Sequence, residues 1–268
     1  MARELRRLLI PPDRLQPVGR AGIEPAGAEP AGTLVQLEPA EAHYVARVLR
    51  FRRGDELAVI DGAGSLWSAI LEQPAQLRLQ QPLAQPLQRA APPQPQITLA
   101  MAVPKRDPEL VWRMAAELGA SRLQPLIASR SVVRSGLPLE RWRTILREAT
   151  EQCERLWLPE LADPLDTAAW FAAPVAGPAL LATSRRPDLP RLPQLAEAFA
   201  LAAAPRQLSL AIGPEGGWTP EEEEAALAAG WQLVSLGEAI LRTSTAAVAG
   251  LACLALAPRA GLADTKSS

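Results

Sequence analysis

The residues best suited to chemistry in this 268-residue chain lie in Leu208 to Thr219, LSLAIGPEGGWT. An apolar run ends in Gly213-Pro214-Glu215-Gly216-Gly217. Glycines let a backbone approach a ligand closely. Glu215, set between them, has little core to serve and is a candidate proton acceptor. Its alternative role is to cap the next helix or to pair with an arginine. A second loop, Leu236-Gly237-Glu238-Ala239-Ile240-Leu241-Arg242-Thr243, carries the cation Arg242, either a charge-stabilising group or half of an interface ion pair. Neither loop has the GxGxxG or GxxxxGK[ST] pattern, so a nucleotide-binding reading lacks its glycine spacing and its lysine. A glycine turn by itself is equally an ordinary βα connection.

Both loops need strands behind them and helices after them. Gln207 to Ile212 and Gln232 to Leu236 read as those strands. Thr219, Pro220 and Glu222 fit the N-cap, N1 and N3 positions of a helix that Gly230 stops. Ser244 fits the N-cap of a last helix that reaches Ala257. Upstream, Ile97 to Val103, Leu123 to Ala128 and Ala179 to Thr183 read as strands. Pro108 to Leu118 and Leu139 to Leu156 read as helices. Their inward faces are Leu110, Val111, Met114, Ala115 and Leu118, and then Leu139, Trp142, Ile145, Leu146, Ala149 and Cys153. Strands alternating with helices predict a parallel sheet covered on both faces. Loops at the carboxyl ends of such strands line one pocket.

The first 81 residues differ. Short β-like runs at 34–37, 56–60 and 66–71, with an Asp61-Gly62-Ala63-Gly64 turn, predict a small β-rich domain. A tandem EPAGA/EPAGT repeat at 24–33 reads as a low-complexity insertion. Residues 82–96, rich in proline and glutamine, read as a linker. The second domain then spans 97–258, with a tail at 259–268. Arg47, Arg50, Arg52 and Arg53 form the densest basic cluster, either a phosphate contact or a solvated face. Lys105 and Arg106 offer the same pair of readings. His43, the single histidine, suits a structural or RNA-contact role better than catalysis.

Net charge is −1, so the global basic field of many nucleic-acid binders is absent and only local patches could serve. Two cysteines are too few for a disulfide framework or a zinc site, so no metal is expected. The first residues hold no apolar run of signal-peptide length, and the longest apolar run, 246–257, is too short to span a bilayer. A cytoplasmic protein with no membrane partner is expected.

Taken together, AIGPEGGWTPEE and VSLGEAILRTSTA resemble the two C-terminal motifs of the RsmE-type 16S ribosomal RNA uridine-N3 methyltransferases, within the SPOUT superfamily. The likeness extends upstream through Pro104-Lys105, Ala116-Glu117-Leu118-Gly119, Arg130-Ser131, Arg141-Trp142, the run Glu148 to Arg155, and Leu158-Pro159. It continues into the first domain through His43 to Arg50, Arg53-Gly54-Asp55 and Asp61-Gly62. Ala239 stands where the family usually has a basic residue, and Ser244 where it usually has a glutamate.

The resemblance implies a PUA-like β-barrel followed by an α/β domain with a C-terminal trefoil knot, which pairs two copies as a homodimer. It implies S-adenosylmethionine bound by Thr183, Gly213, Glu215, Gly216, Leu236, Gly237, Ile240, Leu241 and Arg242. The expected substrate is 16S ribosomal RNA within the small subunit. Because N3 of uridine carries a proton, the reaction calls for a proton acceptor, Glu215, or for cations on the flanking carbonyl oxygens, Arg242 or Arg155. Arg155 serves equally as a cation at a helix C-terminus. RNA contacts fall to Arg47, Arg50, Arg52, Arg53, Lys105 and Arg106, with the target base extruded from any pair. Rival functions are a SPOUT enzyme with another RNA target and a non-catalytic RNA-binding protein of the same fold.

Overall fold

The computed structural model describes residues 5–15, 32–184, 186–201 and 205–257. Most of the 24–33 repeat and the 259–268 tail lie outside the described residues. The chain divides into two compact units. One runs to Pro92 and takes in Thr150–Leu158; the other comprises Pro93–Ala149 and the chain from Pro159 onward.

The first unit is a six-stranded mixed sheet. Its strands are β1 (Arg7–Leu9), β2 (Leu34–Gln36), β3 (Glu56–Ile60), β4 (Ser65–Gln73), β5 (Gln76–Leu79) and β6 (Gln88–Arg89). They order as β1-β3-β4-β5-β2, with β6 on β4, and only β1 and β3 run parallel. The β3–β4 hairpin turns at Asp61, whose carboxylate accepts from the amides of Ala63 and Ser65. β6 stands inside the stretch expected as a linker. Alternate residues of β3 supply Leu57 and Val59 to one core and Ala58 and Ile60 to another, as a two-residue strand period requires. The second core is closed by Leu156 and Trp157. Helix α1 (Pro39–His43) continues into a π-helical turn, Tyr44–Val48, ahead of the arginine cluster.

The second unit contains strands β7 (Gln96–Ala102), β8 (Arg122–Ile127), β9 (Glu160–Leu161), β10 (Leu165–Asp166), β11 (Ala179–Ala182), β12 (Gln207–Ile212) and β13 (Gln232–Val234). Its helices are α2 (Pro108–Glu117), α3 (Leu139–Gln152), α4 (Thr167–Ala172), α5 (Leu192–Leu201), α6 (Pro220–Ala228) and α7 (Thr243–Ala255). All seven strands pair in parallel, in the order β10-β8-β7-β12-β11-β13 with β9 on β8. α7 packs with both α2 and α5 over a core that holds Ile97, Leu99, Met101, Leu208, Leu210 and Ile212. The opposite face is built from small residues, Ala100, Ala102, Ala179 and Ala211. Those alanines leave room for the ring cluster of Phe171, Trp218 and Trp231.

Several local expectations are corrected. The inward stripe of α2 is turned: Leu110 is exposed, and Trp112 is buried against Trp142 at 5.5 Å. An indole buries more apolar surface than a leucine, so it takes the inward position. α3 stops at Gln152, four residues short of Leu156, and Glu154 adopts a left-handed φ of 61°. α7 begins at Thr243 with Arg242 at the N-cap position, so Ser244 is not its cap. The Thr243 hydroxyl turns instead to the carbonyl of Gly213. α4 and α5 carry too short or too uniformly apolar a pattern to stand out by periodicity.

Candidate active site

β12, β11 and β13 lie side by side in the sheet, and their carboxyl ends open into three loops. The loops and the first turn of α7 line an open cleft. Thr183 and Ser184 come from the end of β11, Gly213, Pro214, Gly217 and Trp218 from the turn after β12, and Leu236, Gly237, Ala239 and Leu241 from the loop after β13. Thr243 and Ala246 of α7 close one side. The Thr183 amide donates to the Val234 carbonyl at 3.0 Å, which ties two of these loops together.

The glycine turn is packed from both sides. The Gly217 amide donates to the Pro214 carbonyl at 2.8 Å, and Gly217 has a φ of +71°, which favours glycine. A Cβ on Gly213 would stand 3.0 Å from Cε2 of the Trp218 indole, whose nitrogen donates to the Ala182 carbonyl at 3.0 Å. A Cβ on Gly216 would stand 3.1 Å from the Arg130 Cβ. The Arg130 guanidinium donates to the carbonyls of both Gly216 and Trp218, each at 3.0 Å. Thr243 Oγ1 donates to the Gly213 carbonyl at 3.0 Å and so fastens α7 to the same turn.

Behind the turn, α6 starts with the capping box read from its sequence: Thr219 Oγ1 accepts from the Glu222 amide, and the Glu222 carboxylate accepts from the Thr219 amide. Glu222 also accepts from the Ser129 amide at 2.9 Å and from the Thr167 hydroxyl at 2.8 Å. Burial pushes its pKa up, but these amide and hydroxyl donors outweigh it and hold the carboxyl below the usual range. The neighbouring Glu223 is also buried. It accepts from Thr183 Oγ1 and pairs with Arg186.

The cofactor residues expected from the motifs separate into two groups. Thr183, Gly213, Leu236, Gly237 and Leu241 line the cleft; Glu215, Gly216, Ile240 and Arg242 do not. Glu215 is exposed and accepts from the Lys105 amide at 3.1 Å, so it bridges the glycine turn to the loop between β7 and α2. Arg242 is exposed, and its guanidinium has no hydrogen-bonding or ionic partner among the described residues. Arg155 belongs to the first unit. Burial lowers its pKa, and Cys153 opposes the shift.

Arg47, Arg50, Arg52 and Arg53 are all exposed, as are Lys105 and Arg106 in the second unit. His43, at the end of α1, is exposed as well. Motif reading did not place Trp218, Arg130 or Glu223 at the site. Trp218 follows the glycine turn directly, so its position was a signal; the other two act from remote parts of the chain.

No helix among the described residues is long and apolar enough to cross a membrane, and no group of metal-binding side chains occurs among them. Residues 91–255 match the RNA methyltransferase domain family, and residues 37–79 match the RNA methyltransferase PUA domain family. Ribosomal RNA small subunit methyltransferase E of Synechocystis is 43% identical over 225 residues, covering 81% of this chain and 71% of the relative. The enzyme of the same name from Mycobacterium tuberculosis is 33% identical over 237 residues, covering 82% and 85%. A solved structure of ribosomal RNA small subunit methyltransferase E from Neisseria gonorrhoeae, bound to S-adenosyl methionine, has a TM-score of 0.72. It is 25% identical and covers 94% of this chain and 97% of that one. A structure from Legionella pneumophila in complex with the bound cofactor SAM has a TM-score of 0.75 at 27% identity, with the same coverage. An all-parallel sheet whose strand ends hold a glycine-lined cleft, a first unit whose residues 37–79 match the PUA domain family, and likeness to these relatives over most of the chain lead to one conclusion: the chain belongs to the ribosomal RNA small subunit methyltransferase E family.

Proposed function

We propose that this protein transfers a methyl group from S-adenosylmethionine to N3 of a uridine in the 16S ribosomal RNA of the small subunit. The observation that carries this reading is the cleft at the ends of β11, β12 and β13, in a chain that is 43% identical to a ribosomal RNA small subunit methyltransferase E over 81% of its length. The cleft suits the cofactor chemically. Ile212, Leu236, Leu241 and Ala246 offer apolar walls for a flat base, and Gly213 and Gly237 leave backbone edges free of side chains. Bound there, S-adenosylmethionine supplies an electrophilic methyl on a sulfonium.

The chain's own residues then have two tasks. N3 must lose its proton, and Glu215, exposed beside the cleft-lining turn, accepts it. Negative charge develops on the carbonyl oxygens flanking N3, and Arg242, free of protein partners among the described residues, stabilises it. The remaining rate gain comes from orientation of the two reactants. Exposed Arg47, Arg50, Arg52 and Arg53 contact RNA phosphates from the first unit, and Lys105 and Arg106 do so from the second. The reading includes the C-terminal trefoil knot and a homodimer across it; exposed Ile240 and Leu256 support a covered surface there.

The test is methyl transfer from labelled S-adenosylmethionine to small subunits that lack the modification, with the product nucleoside identified by mass spectrometry. The expected product is 3-methyluridine in 16S RNA. A different methylated nucleoside, or none, overturns the assignment.

A further inference from the structure

The buried carboxylate of Glu223 stands one hydroxyl away from the cleft. Thr183 Oγ1, on a cleft-lining residue, lies 2.5 Å from Glu223 Oε1. The second oxygen, Oε2, lies 2.5 Å from Arg186 Nη2. Glu223 is 7% exposed, while its partner Arg186 reaches it from the surface. Glu223 reaches the site from the first turn of α6, 40 positions from Thr183.

A threonine hydroxyl has one proton and two lone pairs, and an ionised carboxylate can only accept. Arg186 occupies one carboxylate oxygen of Glu223, and the Thr183 hydroxyl donates to the other, so its proton is committed there. We propose that Glu223 sets the hydrogen-bonding polarity of the cofactor cleft: Thr183 can only accept, and the cofactor group opposite it is a hydrogen-bond donor. This rests on the S-adenosylmethionine reading above. That cofactor offers donors at the amino group of its adenine, at its α-ammonium and at its ribose hydroxyls. The cofactor's carboxylate and the adenine ring nitrogens, which only accept, are excluded from this position.

The ion pair makes the polarity reversible by one atom. In Glu223→Gln, Arg186 has only donors and therefore claims the amide oxygen. The amide NH2 then faces Thr183, which must accept from it and turn its own proton toward the cleft. Removing Arg186 as well lets the amide rotate and restores the original direction. A role that is only structural predicts the reverse order, with the double variant the worse of the two.

Calorimetric titration of S-adenosylmethionine into the full chain and its variants tests this, with melting temperatures measured alongside. The expected result is at least tenfold weaker binding for Glu223→Gln and for Thr183→Val, near-native binding for Thr183→Ser, and recovery of most of the loss in Glu223→Gln with Arg186→Ala. Wild-type protein that binds while Glu223→Gln binds equally well overturns the polarity assignment alone. Wild-type protein that binds no S-adenosylmethionine overturns the function as well.

Three neutral ligands identify the donor. S-adenosylhomocysteine keeps both nitrogen donors; of these two, its inosyl counterpart keeps only the ammonium, and 5′-methylthioadenosine keeps only the adenine amino group. The Thr183→Val penalty should vanish with whichever of the last two lacks the donor. A penalty kept by both assigns the donor to a ribose hydroxyl, and one absent from both overturns the proposal.

Discussion

The indole of Trp218 is packed against Gly213, so that a Cβ on Gly213 would come within 3.0 Å of it while the indole nitrogen is anchored to Ala182. Gly213→Ala must therefore displace a buried ring that lines the cleft. Overpacking of this kind costs about 1–3 kcal/mol. We expect a melting temperature lower by a few degrees and at least tenfold weaker S-adenosylmethionine binding by calorimetry. Native affinity would show that the ring does not shape the cofactor site.

Glu215 has two separable properties, a carboxylate and an acceptor for the Lys105 amide. Glu215→Gln keeps an acceptor and loses the base. Glu215→Ala loses both. If proton acceptance is its task, both variants lose about 10²-fold or more in kcat with KM for the cofactor little changed, a size typical of general-base removal. If Glu215 only braces the turn, the glutamine variant turns over at the native rate, which single-turnover kinetics would reveal.

Arg242 makes no side-chain hydrogen bond or ion pair among the described residues that its removal would break. Arg242→Ala should therefore leave the melting temperature within about a degree, because exposed unpartnered groups contribute little to stability. Methyl transfer should fall by about 10²-fold or more, the range for removal of a charge-stabilising donor. Arg242→Lys should recover part of the rate, since it restores charge without the planar fork. Unchanged methyl transfer by the alanine variant would remove Arg242 from the reaction.

Glu222 links the amide of Ser129, the hydroxyl of Thr167 and the cap of α6. Its folded pKa is lowered, so its stabilisation is complete above the unfolded value, about 4.3, and is lost as pH falls through the folded value. Glu222→Gln should cost about 1.5–3 kcal/mol at pH 7, the size of hydrogen bonds to a charged group. The gap between wild type and variant should narrow below about pH 4.3. Urea denaturation across pH measures it, and a gap independent of pH would contradict the assignment.

Arg47, Arg50, Arg52 and Arg53 are exposed, and their guanidinium groups form no ion pair among the described residues. Replacing all four with alanine should weaken binding to 16S RNA with little change in stability. Every phosphate left without its arginine should flatten the log–log salt dependence by about 0.7–0.9. Equal slopes for variant and wild type would assign the cluster to a solvated face.

The strands β7, β12 and β13, the capping box at Thr219 and Glu222, and the stop at Gly230 could all be read from the chain. Each depends on residues within a few positions of one another, where side-chain period, cap chemistry and left-handed backbone leave local marks. The same locality placed the glycine turn at the end of a strand. It misled where tertiary packing overrides it, as at Leu110, which yields the inward position to Trp112. It also misled at α7, where Thr243 spends its hydroxyl on Gly213, 30 positions earlier. That β11 lies between β12 and β13, bringing Thr183 to the cleft, is a property of strand pairing. That Arg130 holds the glycine turn and Glu223 accepts from the Thr183 hydroxyl depends on atoms brought together across 86 and 40 positions. The chain alone determined the family and the two glycine loops that stand at the strand ends. Tertiary structure decided which of their residues face the cleft and which groups orient them, because hydrogen-bond polarity and close packing are set by neighbours in space.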